Sequence, residues 1–232
     1  MVYFASYGFG RCSRIYSVVI ATSRVRAVVD GGYDPAVSPD GRFLAYNRSF
    51  SCGVRRHRLV VRNLSTGQEE EWLDGSELGF GDFAWGPDPG SLIVAHAGAD
   101  SASYFLLDTG KSGPLTGPMW PSTRALDAFK IKGRPLSDPN TSLAGVTVRP
   151  DRAKVLFGIF YSSEEGWLHP IIEYDVRDET FRTVIEDAWG PVDFDPTGRE
   201  ILYRPVNSGL TLYRYSDGRS VKLGTGYYDA AW

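Results

Sequence analysis

Three aspartates stand at the head of three similar apolar segments: Asp34 in YDPAV, Asp82 in GDFAW and Asp229 in YDAAW. If these segments are copies of one repeat, their carboxylates converge on one side of a shared opening. There they would attract a divalent cation or a cationic group, since hard cations prefer oxygen ligands. An aspartate at the start of a strand also caps turns by accepting from backbone amides, and a repeat would copy that role from unit to unit. Both readings stand on sequence alone. Aromatic residues share the same positions: Tyr33, Phe80, Trp189, Tyr227 and Tyr228. Flat apolar faces beside carboxylates suit stacking on a sugar ring or enclosing a cation, although packing between strands uses the same residues.

A fourth acid, Asp193, lies one position deeper along its own strand. Two of these four carboxyl groups would suffice for glycoside hydrolysis, one protonating the leaving group and the other serving as base or nucleophile. No glutamate falls on such a strand. The sequence contains no phosphate-binding Walker loop, no Gly-x-Ser-x-Gly elbow and no His-Glu-x-x-His. His57, His96 and His169 fall in different repeats without metal-ligand spacing, and His96, ending a strand, reads as a packed side chain.

The elements that must position these residues are strands joined by tight turns. In YDPAVSPDGRFLAYN, Pro39 presets the backbone of a turn, Asp40 can bond its own main chain, and Gly41 can adopt the left-handed conformation. Alternating apolar residues flank the turn with the period of two expected of strands. The pattern returns at Pro87-Asp88, Pro150-Asp151 and Pro196, where Gly198 stands in the place of Gly41. Each copy continues with a strand such as HRLVVRNL, SYFLLDT, PIIEYDV or LTLYRYS. A polar turn and a last strand follow, as in QEEEWLDG, SGPLTGP, TFRTVIEDA and SVKLGTG. Four antiparallel strands per unit make one propeller blade.

These residues resemble the WD40-like (PD40) repeat of the TolB family: an aromatic or apolar residue, then Ser-Pro-Asp-Gly, then an apolar strand. Ser38-Pro39-Asp40-Gly41 matches throughout. Gly86-Pro87-Asp88-Pro89-Gly90 has an extra residue, Arg149-Pro150-Asp151-Arg152 lacks the glycine, and Asp195-Pro196-Thr197-Gly198 lacks the Ser and Asp. The resemblance implies propeller blades, commonly in periplasmic or secreted bacterial proteins and often with a protein-binding role. It supplies no catalytic residues.

The chain ends complete the pattern. Residues 229–232 align with the first strand of a further blade, and 2–6 align with the strand that should follow it. The expected architecture is all-β, a single domain forming a five-bladed β-propeller. Its blades are 229–232 with 2–31, 34–74, 82–116, 145–187 and 191–224, closed by pairing 229–232 with 2–6. The TolB family propeller has six blades, so a smaller relative is expected, the alternative being a piece of a six-bladed protein. Closure would remove exposed sheet edges.

Composition agrees with an ordered β domain: 42% hydrophobic and 13% aromatic residues, with 26 Gly and 14 Pro for frequent turns. A net charge of −3 argues against a nucleic-acid partner, despite arginines at 11, 14, 48, 55, 56 and 58. No run of about 18 apolar residues is present to span a membrane. The N-terminus lacks the basic start and apolar core of a signal peptide, which leaves localisation open. Cys12 and Cys52 occupy equivalent loops of neighbouring blades, where a disulfide and two free thiols are both readable.

Ligands of propellers usually meet the channel mouth, formed by the loops leading into each inner strand. The insertion 119–142 enters on that side, and a loop of this length without structure of its own is often a lid. Its Trp120, Arg124, Phe129, Lys130, Lys132 and Arg134 would close over a ligand or meet an acidic partner, although a surface insertion need do neither. The expectation is a monomeric, non-catalytic binding module for a small molecule, glycan or protein. No cofactor is expected beyond a divalent cation at the mouth, and a glycoside hydrolase is the alternative.

Overall fold

The computed structural model describes residues 2–6, 13–49, 57–74, 79–87, 90–97, 102–108, 121–138, 141–163, 166–195, 197–206 and 209–224. They fall into two compact units, one within Met1–Leu78 and the other comprising Gly79–Asp108 and Gly117–Ala230.

In the first unit, β1 (Val2–Ser6), β2 (Arg14–Val19) and β3 (Arg24–Asp30) form an antiparallel sheet in that order. The next sheet is β4 (Gly32–Val37), β5 (Phe43–Ser49), β6 (His57–Asn63) and β7 (Glu69–Asp74), again in chain order. In the second unit, β8 (Gly79–Trp85), β9 (Ser91–Ala97) and β10 (Ala102–Asp108) pair in sequence. After them come α1 (Thr123–Ala128) and the two-residue strands β11 (Lys130–Ile131) and β12 (Arg134–Pro135). The following sheet runs β13 (Thr141–Val148), β14 (Lys154–Ser163), β16 (Ile171–Asp175), β17 (Thr180–Ile185), with β15 (Gly166–Leu168) appended to β14. The last is β18 (Ala188–Phe194), β19 (Glu200–Pro205), β20 (Leu210–Arg214), β21 (Ser220–Gly224). The strands anticipated at 112–118 and 229–232 lie outside the described residues.

The turns form as their residues require. The Gly41 amide donates to the Ser38 carbonyl at 2.8 Å with Gly41 at φ 70°. Asp40 accepts from the Ser38 hydroxyl and the Arg42 amide and pairs with the Arg42 guanidinium. The Ser38 hydroxyl accepts from the Phe43 amide at 2.9 Å. The hydrogen bond to Ser38, followed by those from Arg42, draws the Asp40 pKa down to about 2. Where the motif degenerates, the bonds are redistributed. Asp195, in the place of Ser38, accepts from the amides of Thr197, Arg199 and Glu200. Arg152 stands where Gly41 stands and is forced to φ 61°.

The sheets pack through apolar faces. Ile15, Val29, Leu44, Tyr46 and Val60 form a buried cluster in the first unit. Gly32 adjoins it, and a methyl there would come within 2.7 Å of Ile15 Cδ1. In the second unit, Ile93, Val146, Val155, Phe157, Ile159 and Ile172 lie in one cluster and Leu156, Ile171, Phe194 and Ile201 in another. Fully burying an aliphatic side chain of this size is worth about 1.5–3 kcal/mol.

A polar tie joins the last two sheets. Glu173, 1% exposed, accepts from Arg182 at 2.7 Å and from the Tyr215 hydroxyl at 2.8 Å. Burial pushes its carboxyl up, but the hydrogen bonds from Arg182 and Tyr215 and the charges of Arg182 and Lys154 outweigh burial and hold it ionised.

The insertion is not a structureless lid. The Ser122 hydroxyl caps α1 by accepting from the Ala125 amide. Ala125 and Leu136 are buried in the larger cluster with Leu126, Phe129 and Ile131 against it, and Phe129 lies 5.7 Å from Phe181. Phe129, read as available for a ligand, therefore packs on the core, while Trp120 lies outside the described residues. Among the described residues, no helix is long and apolar enough to cross a membrane.

Candidate ligand-binding site

The residues aligned at the channel mouth lie not in loops but within the first strand of each sheet, at a β-bulge. Two residues oppose one in every described case: 34 and 35 against Tyr46, 81 and 82 against Ala95, 144 and 145 against Gly158, and 189 and 190 against Arg204. A bulge breaks the ladder, bends the strand and redirects side chains, which is why bulges recur beside binding sites. Asp34 adopts φ 50°, Gly145 φ 145° and Gly190 φ 126°. Aspartate is among the few non-glycine residues that tolerate that region.

Counted back from the turn, Asp34 and Asp82 stand at the same place. In the ladder, however, Asp34 is the first residue of its bulge and Asp82 the second. Equal count does not give them equal backbone positions. Asp34 accepts from the Asn47 amide group at 3.2 Å, and Tyr33 beside it is half-buried, its phenol pushed up by burial and by the Asp34 charge. The side chains of Phe80 and Asp82 lie outside the described residues, as do Tyr227, Tyr228, Asp229, Trp120, Cys12 and Cys52. Asp193 accepts from the Thr147 hydroxyl at 3.2 Å and from the Phe194 amide at 2.8 Å, which ties two neighbouring first strands together. Among the described residues, no group of three His, Cys, Asp or Glu side chains is placed to hold a metal ion.

Trp189 occupies the bulge of β18 and is 37% exposed. Its indole N–H donates to the Val206 carbonyl at 3.2 Å, which fixes the ring. The ring lies 4.6 Å from His169 and 5.2 Å from Phe160, and the Arg204 guanidinium sits over it at 5.7 Å. Phe160 meets His169 edge-on at 4.8 Å. His169 is 6% exposed and its Nδ1 is buried without a hydrogen-bond partner. Burial lowers its pKa, opposed by the Asp187 carboxylate. A neutral imidazole packed between two aromatic rings thus backs a fixed, partly exposed indole.

Of this site, the sequence identified Trp189 alone. Phe160, His169 and Arg204 come from three different elements, and their convergence depends on the β18 bulge and on the return of the chain at His169-Pro170. Elsewhere, candidate residues prove engaged. Arg48 and Arg62 pair with Glu69, Arg58 with Glu71, and Arg14 with Asp30. Arg124, Lys130, Lys132 and Arg134 of the insertion are exposed, with Arg134 over the Tyr161 ring at 5.5 Å. A cleft of about 620 Å³ lies at the turn side of the last two sheets, among Arg149, Asp195, Arg199 and Arg214. Arg149 is paired with Asp151 and Arg214 with Glu200, so the cleft is electrostatically closed on itself.

No family model and no curated protein matches the sequence. Solved structures do. TolB from Acinetobacter baumannii superposes with a TM-score of 0.64 at 18% identity over 93% of this chain and 49% of that one. A puromycin-hydrolysing peptidase of Mycobacterium tuberculosis gives 0.60 at 14% identity, over 93% of this chain and 34% of that one. The tricorn protease gives 0.58 at 11%, over 90% of this chain and 24% of that one. The chain spans about half the length of the TolB chain it matches. With antiparallel sheets in chain order and turns of the Ser-Pro-Asp-Gly type, the chain has the fold of a TolB-like β-propeller.

Proposed function

We propose that the protein is a non-catalytic binding module that takes a sugar at the upstream end of its inner strands, with Trp189 as the stacking surface. The observation that carries this reading is a solvent-exposed indole locked by its own N–H bond and backed by His169 and Phe160. A rigid aromatic face loses little entropy on binding and suits the C–H face of a pyranose. Phe80, Asp82, Trp120, Tyr227, Tyr228 and Asp229 are further rim positions in this reading.

Binding is favoured over hydrolysis by how the described candidate carboxylates are engaged: Asp34 accepts from the Asn47 side-chain amide, and Asp193 accepts from the Thr147 hydroxyl and the Phe194 amide. Bonds of this kind suit positioning of the strand more than proton donation to a glycosidic oxygen. The finer architecture belongs to the same proposal: five blades, with 229–232 completing the sheet of β1. In its support, β1 is the end strand of its described sheet and has one partner, β2. A glycan array with the intact chain, followed by a reducing-end assay on each hit, tests the function. Retained glycans, lost with Trp189→Ala and never cleaved, are expected. Turnover abolished by Asp34→Ala or Asp193→Ala would replace this reading with an enzymatic one, and an array without hits would direct the search to protein partners.

A further inference from the structure

The sheet that supplies His169 departs from the others. Its second strand, β14, runs ten residues, against seven in β5, seven in β9 and six in β19. The extra length carries a hairpin, in which Ser162 pairs with Trp167 and Tyr161 with Leu168. Side chains alternate across a strand, so the two members of a hairpin divide their labour. Leu168 turns inward and packs against the larger core cluster, whereas Trp167 turns outward and is 67% exposed. Its indole contributes little to the fold, although an aromatic left in water forgoes most of its burial energy.

Register puts Trp167 on the same face as Phe160 and His169, since antiparallel partners share a face and Phe160 touches His169. Trp167 therefore lies about 7 Å along the strand from His169, whose ring is 4.6 Å from Trp189. Two exposed indoles then lie near one imidazole on one face, Trp189 against it and Trp167 two residues along, an arrangement that successive rings of a linked sugar can follow. That face has a polar fringe of both signs. Ser162 and Asp187 are exposed beside it and Arg204 overlies Trp189. Sugar hydroxyls can donate to a carboxylate and accept from a guanidinium, and a fringe of both signs selects for neither a polyanion nor a polycation.

We infer that the site takes a linear, neutral oligosaccharide rather than a single sugar, with Trp189 and Trp167 as two successive stacking positions. This rests on the sugar-binding reading of Trp189 and adds chain length as the property recognised. Affinity titrations of the intact protein with xylo-, cello- and manno-oligosaccharides, monomer to hexamer, test it. For the series that binds, affinity should rise about tenfold once a second ring reaches Trp167, the worth of one aromatic contact. Trp167→Ala should remove that rise and leave monosaccharide affinity unchanged, with Trp167→Phe between the two; Trp189→Ala should remove binding at every length. Affinity independent of chain length, or a Trp167→Ala variant that behaves as wild type, overturns the second position while leaving Trp189 a sugar site. Failure of every series to bind wild type overturns both.

Discussion

At the scale of single residues, backbone conformation and side-chain type disagree at Arg152 and Glu179, two of the five described non-glycine residues with positive φ. Arg152 at φ 61° and Glu179 at φ 52° occupy left-handed positions that Gly41, Gly198, Gly67 and Gly218 fill in the corresponding turns. For a residue with a Cβ the left-handed region costs about 1–2 kcal/mol, and part of that gain is offset by the larger unfolded-state entropy of glycine. Arg152→Gly and Glu179→Gly should each raise stability by about 0.5–1 kcal/mol, read as the midpoint of urea unfolding. A fall in midpoint at both would contradict the assignment. His169 carries a second prediction. Its pKa is lowered by burial, so the unfolded chain takes up a proton that the folded chain refuses. The contribution is fully present above the unfolded value of about 6.5 and is lost as pH falls through it toward the folded value. Melting temperature followed downward from neutral pH should therefore drop more steeply in wild type than in His169→Gln, which cannot titrate; parallel curves would show that His169 titrates alike in both states.

At the scale of elements, the turns were legible because Pro and Gly act locally. Pro39 and Gly41 need no tertiary partner to set their backbone, and the recurrence of such turns located β6, β10, β16 and β20 by their place in the repeat. The bulges were not legible. A two-against-one register leaves no mark beyond an occasional Gly145 or Gly190, so Asp34 and Asp82 matched by count while differing in the ladder. The hairpin under Trp167 leaves no signal in the sequence because β15 has three residues, too few for periodicity. The insertion 119–142 was misread for a related reason: α1, with six residues, owes its stability to packing and not to its own pattern. Leu136→Ala should accordingly cost about 2–4 kcal/mol, the price of a cavity in the core. Urea unfolding of that variant measures it, and a loss under about 0.5 kcal/mol would return the segment to the role of a loose lid.

At the scale of the molecule, the repeat carries the information. Four described first strands share one bulge and the described turns share one hydrogen-bond scheme, so the fold is over-determined even where individual motifs decay, as at Asp195. The proposed closure through 229–232 makes its own prediction: deleting those residues should lower the melting temperature by several degrees, because β1 would then lack the second neighbour that the proposal gives it. An unchanged melting temperature would separate those residues from β1. Function was less legible than fold, since a site built from Phe160, His169, Trp189 and Arg204 exists only once two sheets are side by side. The most direct test of the account is calorimetric titration of the best-retained glycan into wild type and Trp189→Ala, paired with circular dichroism of both. Saturable binding by wild type, weakened at least tenfold in a Trp189→Ala protein with an unchanged spectrum, is the predicted result. Equal affinity in the two proteins would contradict the claim that this indole is the binding surface.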